Sequence, residues 1–134
     1  MHAYQDVKIF PQLWHAGRHI HPSSYDFANF GAPIAPSPVK DNVTGITPRE
    51  MTEEDIHYVI DAFARAARRT KEAEFDGIQL HGAHGYLIHE FLSPYTNRRT
   101  DKWGGSFEKN MRFLLEVYEK VREMVGDDYP VTIR

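Results

Sequence analysis

The stretch Gly77-Ile78-Gln79-Leu80-His81-Gly82-Ala83-His84-Gly85-Tyr86 runs from a short apolar strand directly into a loop bearing two imidazoles and a phenol. Gly82 and Gly85 let the backbone turn sharply and approach a ligand closely. His81, His84 and Tyr86 supply hydrogen-bonding groups able to converge on one acceptor atom. A strand over 77–81 that empties into such a loop places a polar ligand at its carboxyl end.

Working outward, Thr52 is a candidate cap for a helix from about Glu53 to Glu74. Glu53, Glu54 and Asp55 suit its positive end, and Arg65, Arg68, Arg69 and Lys71 its negative end. Ile56, Val59, Ile60, Phe63 and Ala67 fall on one face, which should pack on a sheet. Ser106 is a cap for a second helix with the stripe Met111, Leu114, Leu115, Tyr118 and Val121, and Gly126 is placed to end it. Val7 to Trp14 reads as a first strand, weakened by Pro11, and 131–134 as a third. The segment 19–49, with five prolines and no sustained period, reads as one long ordered loop, and the segment after His81 as a loop through Asp101.

The order strand, loop, helix, strand, loop, helix, strand is that of parallel crossovers in an α/β protein. All three strands end in polar groups: Gln12 with His15, then His81, then Arg134. In α/β barrels and open sheets alike, ligands sit at the carboxyl ends of strands, so three ends point to one site. A complete (β/α)₈ barrel takes about 250 residues. With 134 residues, this chain reads as a slice of an α/β domain.

Composition bounds the function. A net charge of −3 with interspersed signs offers no basic field for nucleic acid and no cationic face for a membrane, so small molecules are the expected partners. No run approaches the roughly 18 apolar residues of a membrane span, and the opening residues resemble no signal or transit peptide, which predicts an intracellular, cytoplasmic protein. Zero cysteines remove disulfides, thiolate metal sites and a cysteine nucleophile, which leaves eight histidines to carry any site chemistry.

His81-x-x-His84-x-Tyr86 admits three readings from its residues alone: a substrate-polarising and protonating loop, part of a metal site, or a structural turn. The metal reading needs a third ligand, and a hydrolase built on His15, His81 and His84 is its concrete form. His89 and Glu90 lie nearby without His-Glu-x-x-His spacing. Arg18 and the run Asn97-Arg98-Arg99-Thr100-Asp101 read as loop braces. Ser106 reads as a helix cap, since Gly104-Gly105-Ser106 lacks the lysine of a phosphate loop. Tyr4, Trp14, Tyr25 and Phe27 show no spacing that demands stacking on bases.

Four blocks, taken together, are more specific. Gln12-Leu13-Trp14-His15-Ala16-Gly17-Arg18, His81-Gly82-Ala83-His84-Gly85-Tyr86-Leu87, Phe91-Leu92-Ser93-Pro94 with Asn97 to Asp101, and Trp103-Gly104-Gly105-Ser106 resemble, in order and spacing, the old yellow enzyme family of FMN-dependent NAD(P)H:flavin oxidoreductases and ene-reductases. The resemblance implies a partial TIM (β/α)₈ barrel, about strands three to five with two crossover helices, and all of 1–134 within a single FMN-binding domain. It implies that Gln12 bonds the pyrimidine edge of FMN, that Arg134 stands beside flavin N1, and that His81 belongs with them at the cofactor. His81 and His84 then hold the oxygen of an activated alkene, Tyr86 protonates its carbon, and NAD(P)H is the hydride donor. Glu108-Lys109-Asn110 departs from the Glu-Asn-Arg common in the family. Strands one, two and six to eight are absent from the sequence, so the chain by itself is expected to bind FMN weakly. The remainder of the barrel or a second copy are the macromolecular partners to expect, and a non-catalytic chain needing a complementary fragment is the rival without chemistry.

Overall fold

The computed structural model describes residues 6–24 and 26–134. Tyr4 and Tyr25, and the opening residues 1–5, fall outside the described residues. The main sheet has three parallel strands in the order β1 (Gln12–Leu13), β4 (Ile78–Leu80), β5 (Val131–Ile133). Gln12 and Leu13 stand opposite Gln79 and Leu80, which stand opposite Thr132 and Ile133. Two long helices make the crossovers, α2 (Glu53–Glu72) and α4 (Phe107–Val125).

The α2 helix starts where its chemistry dictates. The Thr52 side chain accepts from the Asp55 amide, and the Asp55 carboxylate accepts from the Thr52 amide, a reciprocal capping box. Its apolar stripe is as the periodicity predicts, with Ile56, Val59, Ile60, Phe63 and Ala67 all buried. Ser106 caps α4 through the Lys109 amide, and Gly126 closes it with a positive φ of 77°. The α4 stripe is rotated from the expected one. Phe113, Val117 and Val125 join Leu114 and Val121 in the core, whereas Leu115 is 48% exposed, because the helix also leans on a short helix, α3 (Leu87–Leu92).

Four elements differ from the sequence expectation. The first strand is two residues long rather than eight. Pro11 has no N–H to donate, so ahead of β1 the chain is joined to the β4 side through the carbonyls of Ile9 and Pro11, which accept from Asp76 and Gln79. The long loop 19–49 holds a 3₁₀ turn (Pro22–Ser24), a short α1 (Phe27–Phe30) capped by Asp26, and a parallel pair, β2 (Ile34–Ala35) with β3 (Arg49–Glu50). The second loop holds a short helix, α3 (Leu87–Leu92), whose Leu87, Ile88 and Phe91 are buried. The α2 helix stops at Glu72, and Glu74 takes a positive φ of 60° in the turn to β4.

The core lies between the sheet and α2, α3 and α4, with Ile78 and Leu80 of β4 wholly buried and Phe91 stacked on Phe113 at 4.2 Å. Leu13 and Val131 pack on this core from the flanking strands. Beside β1, a groove of about 260 Å³ lies between Leu13, Trp14, Val59 and Phe63. Among the described residues no helix is long and apolar enough to cross a membrane.

Candidate functional site

Side chains alternate across a sheet, so the register decides which groups share a face. Leu13, Leu80 and Ile133 form one row, and Leu13 and Leu80 pack toward the helices. Gln12, Gln79 and Thr132 form the adjacent row on the other face. Two residues further along lie Trp14, His81 and Arg134, on the same face at the carboxyl ends. The ladder holds through this level, since His81 N–H donates to Leu13 O at 2.9 Å and Arg134 N–H to Leu80 O at 3.0 Å. The structure thus brings Gln12, His81 and Arg134 to one end of one sheet face.

Gln12 Nε2 donates to Gln79 Oε1 at 2.6 Å. With the amides so oriented, an acceptor on Gln12 and a donor on Gln79 are left side by side. Sequence reasoning missed Gln79. Its signal was alternation: in Ile78-Gln79-Leu80 the polar residue takes the face that His81 also takes. Arg134 is exposed, and among the described residues its guanidinium has no hydrogen-bond or ion-pair partner.

Beyond β4 the chain turns tightly. Gly82 N–H donates to Arg134 O at 3.0 Å, and a Cβ on Gly82 would stand 3.1 Å from that oxygen, so glycine keeps β4 and β5 together at the site. His84 and Gly85 both take left-handed φ, 59° and 78°, a conformation uncommon for histidine. That turn folds His84 back onto His81, with ring centroids 5.0 Å apart. His81 Nδ1 accepts the Ala83 N–H at 3.3 Å, so its neutral ring carries the proton on Nε2. Nε2 stands 3.3 Å from His84 Nδ1, which then accepts and leaves His84 Nε2–H as the outward donor. The two imidazoles are therefore joined in series and do not start as two parallel donors. Burial lowers the His81 pKa, the His84 and Arg134 charges adding to the effect, which favours this neutral ring.

Tyr86 occupies the position before α3 and makes no side-chain cap bond, so its hydroxyl is not spent on the helix. Its ring lies 5.0 Å from His81, 4.8 Å from Trp14 and 6.3 Å from His19, edge-on to both imidazoles. His81, His84 and Tyr86 form one contiguous cluster, as the sequence spacing led us to expect.

His15 has a different task. Its Nδ1 accepts the Gly17 N–H at 3.0 Å and its carbonyl accepts the Leu87 N–H at 3.0 Å, which ties the end of β1 to α3; burial lowers its pKa. Among the described residues no three His, Asp or Glu side chains converge as a metal site, so nothing draws His15 together with His81 and His84. The braces are as expected. Arg18 reaches Val39 O and Lys40 O, and Arg99 reaches Asp101 at 2.6 Å and the carbonyls of Pro36 and Met51.

Known proteins share the sequence and fold of this chain. The chain is 52% identical over 134 residues to an NADH oxidase of Thermoanaerobacter brockii, covering all of this chain and 20% of that protein. It is 46% identical over 127 residues to an NADPH dehydrogenase of Clostridium acetobutylicum, covering 95% of this chain and 36% of that one. Among solved structures, morphinone reductase in complex with tetrahydroNAD superposes with a TM-score of 0.85 at 34% identity, over 97% of this chain and 39% of that chain. The chain thus spans between 20% and 39% of the length of these relatives, and its three parallel strands and two crossovers are a segment of their α/β barrel. Residues 2–134 match the model of the NADH:flavin oxidoreductase / NADH oxidase family, and the chain belongs to that family, the old yellow enzymes of the motif resemblance.

Proposed function

We propose that residues 1–134 lie within a single FMN-binding (β/α)₈ barrel domain and supply the oxygen-binding and proton-donating groups of an ene-reductase. Such an enzyme passes hydride from NAD(P)H through FMN to an activated alkene. The observation that carries the reading is the shared face: Gln12, Gln79, His81 and Arg134 side by side, with His84 and Tyr86 folded over them.

The residues fit a flavin. The free acceptor of Gln12 and free donor of Gln79 match an edge that carries both a C=O and an N–H, as a pyrimidine does. The unpartnered Arg134 offers a fixed positive charge to a ring that becomes anionic on reduction. When bound, FMN supplies the hydride transfer itself.

The remaining work falls to the loop after β4. Hydride arriving at the β carbon of an enone or nitroalkene drives charge onto the substrate oxygen. His84 Nε2–H is the outward donor to that oxygen, and His81 Nε2–H joins it by leaving His84 Nδ1. Donors already positioned where charge develops lower the barrier more than donors recruited from water. Tyr86 then delivers its proton to the α carbon, and Trp14 and His81 hold the ring in place for it.

The test uses the intact protein with FMN, NAD(P)H and a cyclic enone. Tyr86→Phe should lower alkene reduction by at least about 100-fold while NAD(P)H still reduces the flavin at its normal rate. Wild-type protein that binds flavin yet never reduces the enone would refute the reading. The 134-residue chain expressed alone is expected to lose FMN on dialysis, since it spans at most 39% of the relatives compared above.

A further inference from the structure

We propose that Glu90 is a positioning residue whose buried carboxyl group latches the turn after β1 to α3 and thereby sets Trp14 and the Tyr86 loop against one another. The inference draws on the proposed function only in naming Tyr86 as the proton donor.

Glu90 lies on α3, and its side chain is 0% exposed. Oε1 accepts the Arg18 backbone N–H at 3.0 Å, and the Arg18 Nε stands 3.8 Å away, too far for a hydrogen bond. Oε2 has no partner among the described residues and presses on Gly17, where a methyl group would overlap it. Gly17 has a positive φ of 59°, so both shape and conformation reserve that position for glycine. The carboxyl group thus fills the space under a turn built to receive it.

Three further bonds carry the latch to the site. Gly17 N–H donates to His15 Nδ1 at 3.0 Å, Leu87 N–H donates to His15 O at 3.0 Å, and Glu90 N–H donates to Tyr86 O at 2.8 Å. Trp14, next to His15, meets the Tyr86 ring at 4.8 Å. Turn, strand end and proton-donor loop therefore form one closed circuit through Glu90.

The state of the carboxyl group follows from its surroundings. Arg18 faces it from the stretch after β1, and Asp41 with its partner His19 from the long crossover. Asn110 and Phe113 of α4, packed on α3, do not titrate. Burial raises the Glu90 pKa to about 8, against the opposing pull of the Arg18 amide and charge and with the Asp41 charge adding to the rise. The latch is closed as the uncharged acid, with its proton on Oε2, since Oε1 is already an acceptor. Ionisation puts a negative charge against Gly17 that Arg18 Nε, 3.8 Å from Oε1, does not reach with a hydrogen bond, and the turn opens to hydrate it.

The sign is fixed by linkage. Between 4.5, the ordinary value, and about 8, the folded protein binds a proton that the unfolded chain has lost. Glu90 therefore makes the latch weaken as pH rises through that range.

The test is amide hydrogen exchange of the segment 15–19 in the intact protein between pH 6 and 9, corrected for intrinsic rates. Infrared spectra of the wild type and Glu90→Gln are recorded in parallel. Wild-type protection should fall by up to about tenfold per pH unit between pH 6 and about 8 and level off above, while Glu90→Gln, uncharged at every pH, stays level throughout. The difference spectrum should contain a protonated-carboxyl band that bleaches around pH 8, where the fall in protection ends. A Gln variant that tracks the wild type, or a wild type without the band at pH 7, overturns the proposal. Should the variant fail to fold, a wild-type exchange slope that levels off more than about one pH unit from the midpoint of the band overturns it equally. Exchange as expected in a protein that reduces no enone would defeat the proposed reaction and leave the latch standing.

Discussion

The two faces of the three-stranded sheet are built to opposite rules. Toward the helices, Leu13, Ile78, Leu80 and Val131 meet α2 and α4 in a close apolar core. On the other face Gln12, Gln79, His81, Thr132 and Arg134 stand in register at the strand ends, and most of their hydrogen-bonding capacity is unspent. The difference teaches that stability and chemistry are separated by one step of the pleat. Moving one residue along any of these strands crosses from one task to the other.

Breaking the closed face should have the largest effect. Phe113→Ala removes a ring stacked on Phe91 and should cost about 3–5 kcal/mol, read from the shift of a urea midpoint. Gln12→Leu on the open face should move the same midpoint by no more than about 0.5 kcal/mol, and a loss as large as that of Phe113→Ala would erase the distinction between the faces.

Acid sharpens the contrast next, because His15 and His81 both sit at the open end. Their pKa values are lowered below the ordinary 6.5, so each contributes stability that is fully present above that pH and is lost as pH falls toward the folded value. Each can lower the folding equilibrium constant by up to about tenfold per pH unit over that range. Urea midpoints at pH 7 and pH 5 should lie closer together in a His15→Gln, His81→Gln double variant than in the wild type. On the closed face itself, a change at a helix end has a far smaller effect than one in the core. Thr52→Ala removes the α2 cap and should cost about 1 kcal/mol in the same assay without changing the acid response of the two histidines.

Much of this was legible in the sequence, for reasons that differ by element. The α2 helix could be read because cap, charge and period agree at Thr52, Asp55 and Ile56 to Ala67. The α4 stripe was misplaced because apolar residues occupy more than one face of that helix, and only α3 decides which face is covered. The β2–β3 pair could not be read: two residues on each side carry no period, and their pairing is fixed by tertiary contact. At the site, histidines and tyrosine were visible by type and spacing. The serial bond between His81 and His84 was not, since it depends on the left-handed turn at His84. Glu90 stayed hidden because nothing local marks a carboxyl group whose partner, Arg18, is 72 residues away in the chain.

That left-handed turn also constrains how this loop can change over generations. At φ 59°, position 84 rejects Val, Ile and Thr, whose branched carbons clash with the backbone, but accepts asparagine or aspartate at little conformational cost. A single nucleotide change turns a histidine codon into one for asparagine. A lineage can therefore exchange an imidazole for an amide at position 84 without refolding the loop, while neighbouring shapes stay closed to it.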